Sequence, residues 1–206
     1  EQAFATLVTR HIDLVYSAAL RHVGNHHQAE EITQAVFVVL ARKARSLGPG
    51  TVLAGWLFRT ARLTAANYLR TEIRRARREQ EAFMQSEPTE NSGDPWQEVA
   101  PLLNDTIAAL AEGDRNAIVL RFLQGKDYKQ VAAALGGTEA AAHMRVSRAL
   151  EKLRKLVARR GVVVSAGALG AVLTANAVQA APAGLAASVC AAAVQGTTMT
   201  ASTLAL

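Results

Sequence analysis

The sequence predicts an all-α protein: two small helical domains joined by an acidic linker, followed by an apolar helical tail. Three observations lead there. Ala supplies 42 of the 206 residues and Pro only five, a balance that favours helix because Ala loses least on entering one and Pro breaks it. Apolar residues recur at helical spacing through most of the chain, and the one strand-like run is the short Val162–Val164. Charge falls in blocks: residues 1–80 carry 12 basic and 6 acidic side chains, residues 81–106 carry 6 acidic and none basic, and residues 107–160 carry 11 basic and 5 acidic. The last 46 residues, from Gly161, hold no Lys, Arg, Asp, Glu or His. These shifts divide the chain into 1–80, a linker over 81–101, a second domain over 102–160 and an extension over 161–206.

Phe4, Leu7, Val8, His11, Ile12, Val15, Ala19, Leu20 and Val23 lie on one face of a first helix that Gly24 ends. Asn25 caps a second, with Ala29, Ile32, Val36, Val39 and Leu40 on its apolar face, until Ser46–Thr51 (SLGPGT) breaks it. A third runs from about Leu53 to Arg78 and ends in an arginine cluster. Glu87–Pro101 (EPTENSGDPWQEVAP) reads as linker, with three prolines and a glycine. Leu103, Ile107 and Leu110 begin the second helical block, and Arg115, Ile118, Val119 and Phe122 continue it to Gly125. Tyr128–Leu135, closed by Gly136-Gly137, and the Thr138-capped helix reaching about Arg159 complete it.

Composition excludes several functions. One Cys cannot build a disulfide framework or a cysteine-rich zinc site. Polar residues scattered through Glu1–Glu31 argue against a signal peptide. His22, His26 and Glu30 are four apart, but Gly24-Asn25 interrupts that face and no fourth ligand stands out, so no metal is expected. With no nucleophile–base arrangement and no phosphate-cradling glycine loop, neither an enzyme nor a cofactor is expected.

The basic blocks point to nucleic acid. Tyr128–Leu135, the glycine turn and the basic helix after Thr138 form a helix-turn-helix pattern, whose second helix would lie in the major groove. His143, Met144, Arg145 and Arg148 fall on its early turns, and Lys152 begins a cationic stripe. In the third helix, Trp56, Phe58 and Tyr68 alternate with Arg59, Arg62 and Arg70, a mixture suited to stacking on exposed bases.

Three motifs in the first block, Ala29–Phe37 (AEEITQAVF), Gly55–Arg62 (GWLFRTAR) and Asn67–Arg70 (NYLR), resemble the second region of bacterial extracytoplasmic-function sigma factors. Leu110–Arg121 through Val146–Arg154 resembles their fourth region, and the likeness covers about residues 1–158. It implies a non-catalytic transcription initiation factor acting in the cytoplasm. Core RNA polymerase would be met through Glu30, Glu31, Gln34, Val38 and Ala41. The −10 element and its melted non-template strand would be met through Trp56, Arg59, Arg62, Asn67, Arg70 and Arg74. The −35 element would be read by His143, Met144, Arg145, Arg148 and Lys152. An anti-sigma regulator is a further implied partner. The chain departs from the family pattern at Ala35 (commonly Glu), Leu63 (often Asn) and His143 (Lys or Arg). Two other readings of the residues stay open: a helix-turn-helix regulator that acts without polymerase, and a membrane-anchored interaction module. The uncharged run over residues 162–181 has the length of a membrane span and follows Arg159-Arg160, yet its Ala and Gly content suits a helical hairpin folded back on the domains.

Overall fold

The computed structural model describes residues 2–80 and 95–195, with side chains for 2–73 and 96–193. Most of the predicted acidic linker, 81–94, falls outside those residues. The helices are α1 (Gln2–Val23), α2 (His26–Lys43), α3 (Leu53–Gln80), α4 (Pro95–Ala108), α5 (Glu112–Ile118), α6 (Tyr128–Leu135), α7 (Glu139–Ala158), α8 (Ala166–Asn176) and α9 (Leu185–Gln195). No strand occurs among the described residues.

The punctuation acts where the sequence places it. Gly24, at φ +67°, turns the chain between α1 and α2. The Asn25 side chain accepts the Gln28 amide at 3.1 Å and caps α2. Two features differ from expectation. The linker's last seven residues, Pro95–Pro101, are helical and open α4. Pro95 occupies the first position, where the missing N–H costs nothing, and Val99, Leu103 and Ile107 follow at four-residue spacing, all fully buried. The helix after Glu112 does not stay α-helical to Phe122 but passes into a π turn at Val119–Leu123, where the Gln124 amide reaches back to the Val119 carbonyl at 3.0 Å.

α1, α2 and α3 pack pairwise into a three-helix bundle around Val8, Val15, Ile32, Phe37, Leu57 and Phe58. α4 to α7 enclose Leu103, Ile107, Ile118, Val131, Val146 and Leu153. The two blocks form one continuous core, because α4 also packs on α1 and α5 on α3. Gly55 in α3 meets Asn116 in α5 so closely that a Cβ at Gly55 would overlap the Asn116 side chain. Arg62 pairs with Asp105 at 3.3 Å across the same junction.

The extension folds back onto both domains. α8 buries Leu169 and Leu173 completely and packs on α7, α4 and the π turn. A Cβ at Gly170 would stand 3.3 Å from Leu150, so a glycine there lets α8 lie close. α9 crosses to the other domain and packs on α1 and α2 through Leu185 and Val189. Each buried Leu or Val contributes roughly 1.5–3 kcal/mol to holding the hairpin down. Of the two readings of residues 162–181, the folded-back hairpin is the one seen: no helix among the described residues is long and apolar enough to cross a bilayer. At about 1.5 Å per residue the 11 residues of α8 reach roughly half of a hydrocarbon core about 30 Å thick.

Candidate nucleic-acid and polymerase interfaces

The helix-turn-helix is built from matched end caps. Asp127 accepts the Gln130 amide at 2.7 Å, while the Gln130 side chain accepts the Asp127 amide at 3.3 Å, so α6 starts with a reciprocal pair. It ends at Gly136, φ +71°, a left-handed position that suits glycine. The Thr138 hydroxyl accepts the Ala141 amide at 3.2 Å and starts α7. Thr138→Ala is expected to cost about 1 kcal/mol of stability, read as a lower urea midpoint at unchanged slope.

Ala142, Val146, Ala149 and Leu153 anchor α7 in the core. Consequently His143, Met144, Arg145, Arg148 and Lys152 all face solvent, and the structure gathers all five −35 candidates on one side of a single helix. Two details were not apparent from the sequence. Lys152 is held by Asp114 of α5 at 2.6 Å, which neutralises part of its charge. The His143 ring lies 4.7 Å from that of Tyr128, over which Arg121 stacks at 5.1 Å. His143 thus packs on a ring of the neighbouring helix α6 that itself carries a cation. A cleft of about 430 Å³ runs beside this face, lined by Asp114, the Gly136-Gly137 turn, Arg145 and Arg148.

The −10 candidates are arranged differently. Trp56 is partly buried and packed on the core. Arg59 is exposed, and Arg62 is half-buried and ion-paired with Asp105. Arg115 of α5 enters the same place, donating to the Ala108 and Leu110 carbonyls at 3.4 and 3.1 Å. Its basicity falls through burial first and then through Arg59 nearby. A cleft of about 240 Å³ between Phe58, Arg59, Arg62, Ala108 and Arg115 is all that separates the domains here. Asn67 and Arg70 meet each other at 3.4 Å farther along α3. The side chain of Arg74 lies outside those described, as does most of the arginine cluster.

Among the polymerase candidates, Glu30, Glu31 and Gln34 are half-buried, and Glu31 accepts the Tyr68 hydroxyl at 3.1 Å. Val38 is only 3% exposed. With Ala35 and Val39, also buried, it forms an apolar stripe outside the main core, on the helix along which α9 packs. A carboxylate at Ala35, the commoner family residue, would be buried without a partner. Ala41 lines a groove of about 1190 Å³ shared with Phe4, Thr6, Thr9 and Cys190. His26, considered as a metal ligand, instead meets the Tyr16 hydroxyl at 2.7 Å.

A Sigma-70 region 2 family model matches residues 7–77, and a Sigma-70 region 4 model matches residues 102–153. RNA polymerase sigma factor CarQ of Myxococcus xanthus is 32% identical over 160 residues, 76% of this chain and 90% of CarQ. The chain belongs to the extracytoplasmic-function sigma factors, the promoter-recognising subunits of bacterial RNA polymerase. The ECF sigma factor SigE of Mycolicibacterium smegmatis is 31% identical, but the match spans only 61% of SigE against 74% of this chain. A solved structure, sigma factor RpoE in complex with the anti-sigma factor NepR from Bartonella quintana, aligns at 23% identity with a TM-score of 0.40, covering 77% of this chain and 98% of that one. In this sigma factor the region 2 match covers α1 to α3, and the region 4 match runs from within α4 into α7. Sigma factors are not a family of enzymes.

Proposed function

We propose that this sigma factor acts without catalysis of its own, in the cytoplasm, by joining core RNA polymerase to promoters and favouring their melting. The carrying observation is the exposed α7 face, with His143, Met144, Arg145 and Arg148 displayed together beside a two-glycine turn in a chain that also carries region 2. That face enters the major groove at the −35 element. Trp56, Arg59, Arg62, Asn67, Arg70 and Arg74 engage the −10 element. Unstacking a base there costs a few kcal/mol, which stacking and cationic contacts on the displaced strand offset. Glu30, Glu31, Gln34, Val38 and Ala41 contact the polymerase. Residues 81–94, with 4 acidic and no basic side chains, carry no cation for phosphate.

Run-off transcription with core polymerase and a promoter selected from genomic fragments tests this reading. Specific transcripts that depend on the sigma factor are expected; duplex binding without any polymerase association would instead favour a free-standing helix-turn-helix regulator. Arg148→Ala is expected to lower promoter affinity by about 1–3 kcal/mol and leave core polymerase affinity unchanged. An equal loss on a template lacking the −35 element would show that Arg148 does not read it.

A further inference from the structure

We propose that residues 177–195 are an intramolecular latch, which holds the two sigma regions together and competes with core RNA polymerase for α2. The proposal rests on the polymerase-binding reading of α2 given above.

The latch has a defined register. The Arg21 guanidinium donates to the Ala177 carbonyl. The Ser17 hydroxyl donates to the Gln179 carbonyl at 3.0 Å, and the Gln179 amide donates to the Ser17 oxygen at 2.7 Å. The Ala181 amide donates to Asp13 at 2.9 Å. Asp13, Ser17 and Arg21 are spaced by four on α1 and take partners spaced by two, running in the opposite direction. Four helical residues advance about 6 Å and two extended residues about 6.6 Å, so the two ladders nearly match. Arg21 and Asn104 then bind the same stripe to α4: Arg21 donates to Asn104 at 3.2 Å, and Asn104 donates to the Ala18 carbonyl at 2.8 Å.

The register fixes where each arm of the hairpin falls. α8 is anchored on region 4 and α9 on region 2, so the hairpin bridges the domains. α9 lies along α2, where Ala35, Val38 and Val39 are buried; a polymerase surface seated on Val38 and Ala41 meets α9 first. In the same closed arrangement Arg62 is committed to Asp105. Apparent polymerase affinity is therefore the intrinsic affinity reduced by the fraction of molecules unlatched.

The 206-residue chain carries one thiol, Cys190, half-buried in the groove beside Ala41, and its alkylation rate reports whether α9 is seated. Two variants of the 206-residue chain weaken the latch: A181P removes a donor without touching either domain, and the double substitution Asp13→Ala with Ser17→Ala removes the α1 partners. Both are expected to alkylate faster at Cys190 and to bind core polymerase about tenfold more tightly, as loss of one or two hydrogen bonds implies. Adding core polymerase to the wild-type chain is expected to speed its alkylation. The latch is overturned if the variants alkylate faster yet bind core no more tightly, or if core binding leaves Cys190 as protected as before. Should the double variant fail to fold by circular dichroism, A181P alone decides. If neither wild type nor variant binds core polymerase at all, the polymerase reading itself falls and takes the latch with it.

Discussion

Arg21→Ala is expected to cost about 3 kcal/mol of unfolding free energy, and Arg21→Met less than half of that. Arg21 is half-buried, and the loss of solvent around its guanidinium brings its basicity down to about 10. Among the described residues it has no carboxylate partner: its bonds go to Asn104 and to the Ala177 carbonyl, and its second terminal nitrogen has none there. Alanine removes the bonds and leaves a void between α1, α4 and α8. An abandoned buried acceptor costs about 1–3 kcal/mol, and the void adds to it. Methionine keeps most of the volume and also removes a charge that was expensive to bury. Urea unfolding of the two variants separates packing from hydrogen bonding. Equal losses in both would mean that the guanidinium bonds, rather than the filled space, hold this junction.

The second large effect is expected on acidification. His11, buried on α1, is held down to about pKa 4 by burial first, then by Arg10 and by Lys126 of region 4, against a hydrogen bond to Gln124 that raises it. In the unfolded chain the same imidazole titrates near 6.5. Between these values the unfolded state binds more protons, so stability present at pH 7 is lost as pH falls from about 6.5 to about 4, with no further change from this group below that. The span corresponds to a loss on the order of 3 kcal/mol. His22, lowered chiefly by burial, acts with the same sign. Urea midpoints measured from pH 7 to 4 should fall steeply in the wild type and less in His11→Gln. Parallel curves would place the acid sensitivity elsewhere. Since His11 faces Gln124 and Lys126, its protonation strains the contact between the domains.

The helices of the two domains were readable because their signals are local. The Asn25 and Thr138 caps, the Asp127–Gln130 pair and the four-residue apolar spacing of α1 and α7 act within one or two turns. The start of α4 was misread because Pro95 and Pro101 are loop residues by habit, and the apolar stripe from Val99 shows only once burial is known. The −35 candidates lie together because one helix carries them all. The −10 and polymerase candidates did not all emerge free, because Asp105 and α9 reach them from distant parts of the chain. Long-range pairs such as Gly55 with Asn116 leave no mark in local spacing. The π turn likewise follows from tertiary packing rather than from any residue that demands it.

The bonds between α1 and residues 177–181 use only the peptide groups of the later segment. The Gln179 side chain is exposed, as is that of Val178. The hydrogen-bonding information of this contact is therefore written in Asp13, Ser17 and Arg21, while the strip they hold adds the small side chains of Ala177, fully buried, and Ala181, packed against the core. Gln179 contributes its carbonyl and its amide hydrogen and Ala181 its amide hydrogen, so proline is the one residue type barred on hydrogen-bonding grounds. The recognising partner is a helix of the first domain, and the recognised one offers its backbone and two small alanine side chains. Selection on the contact thus falls on α1, while the exposed positions of the strip are left to change with almost no effect on it.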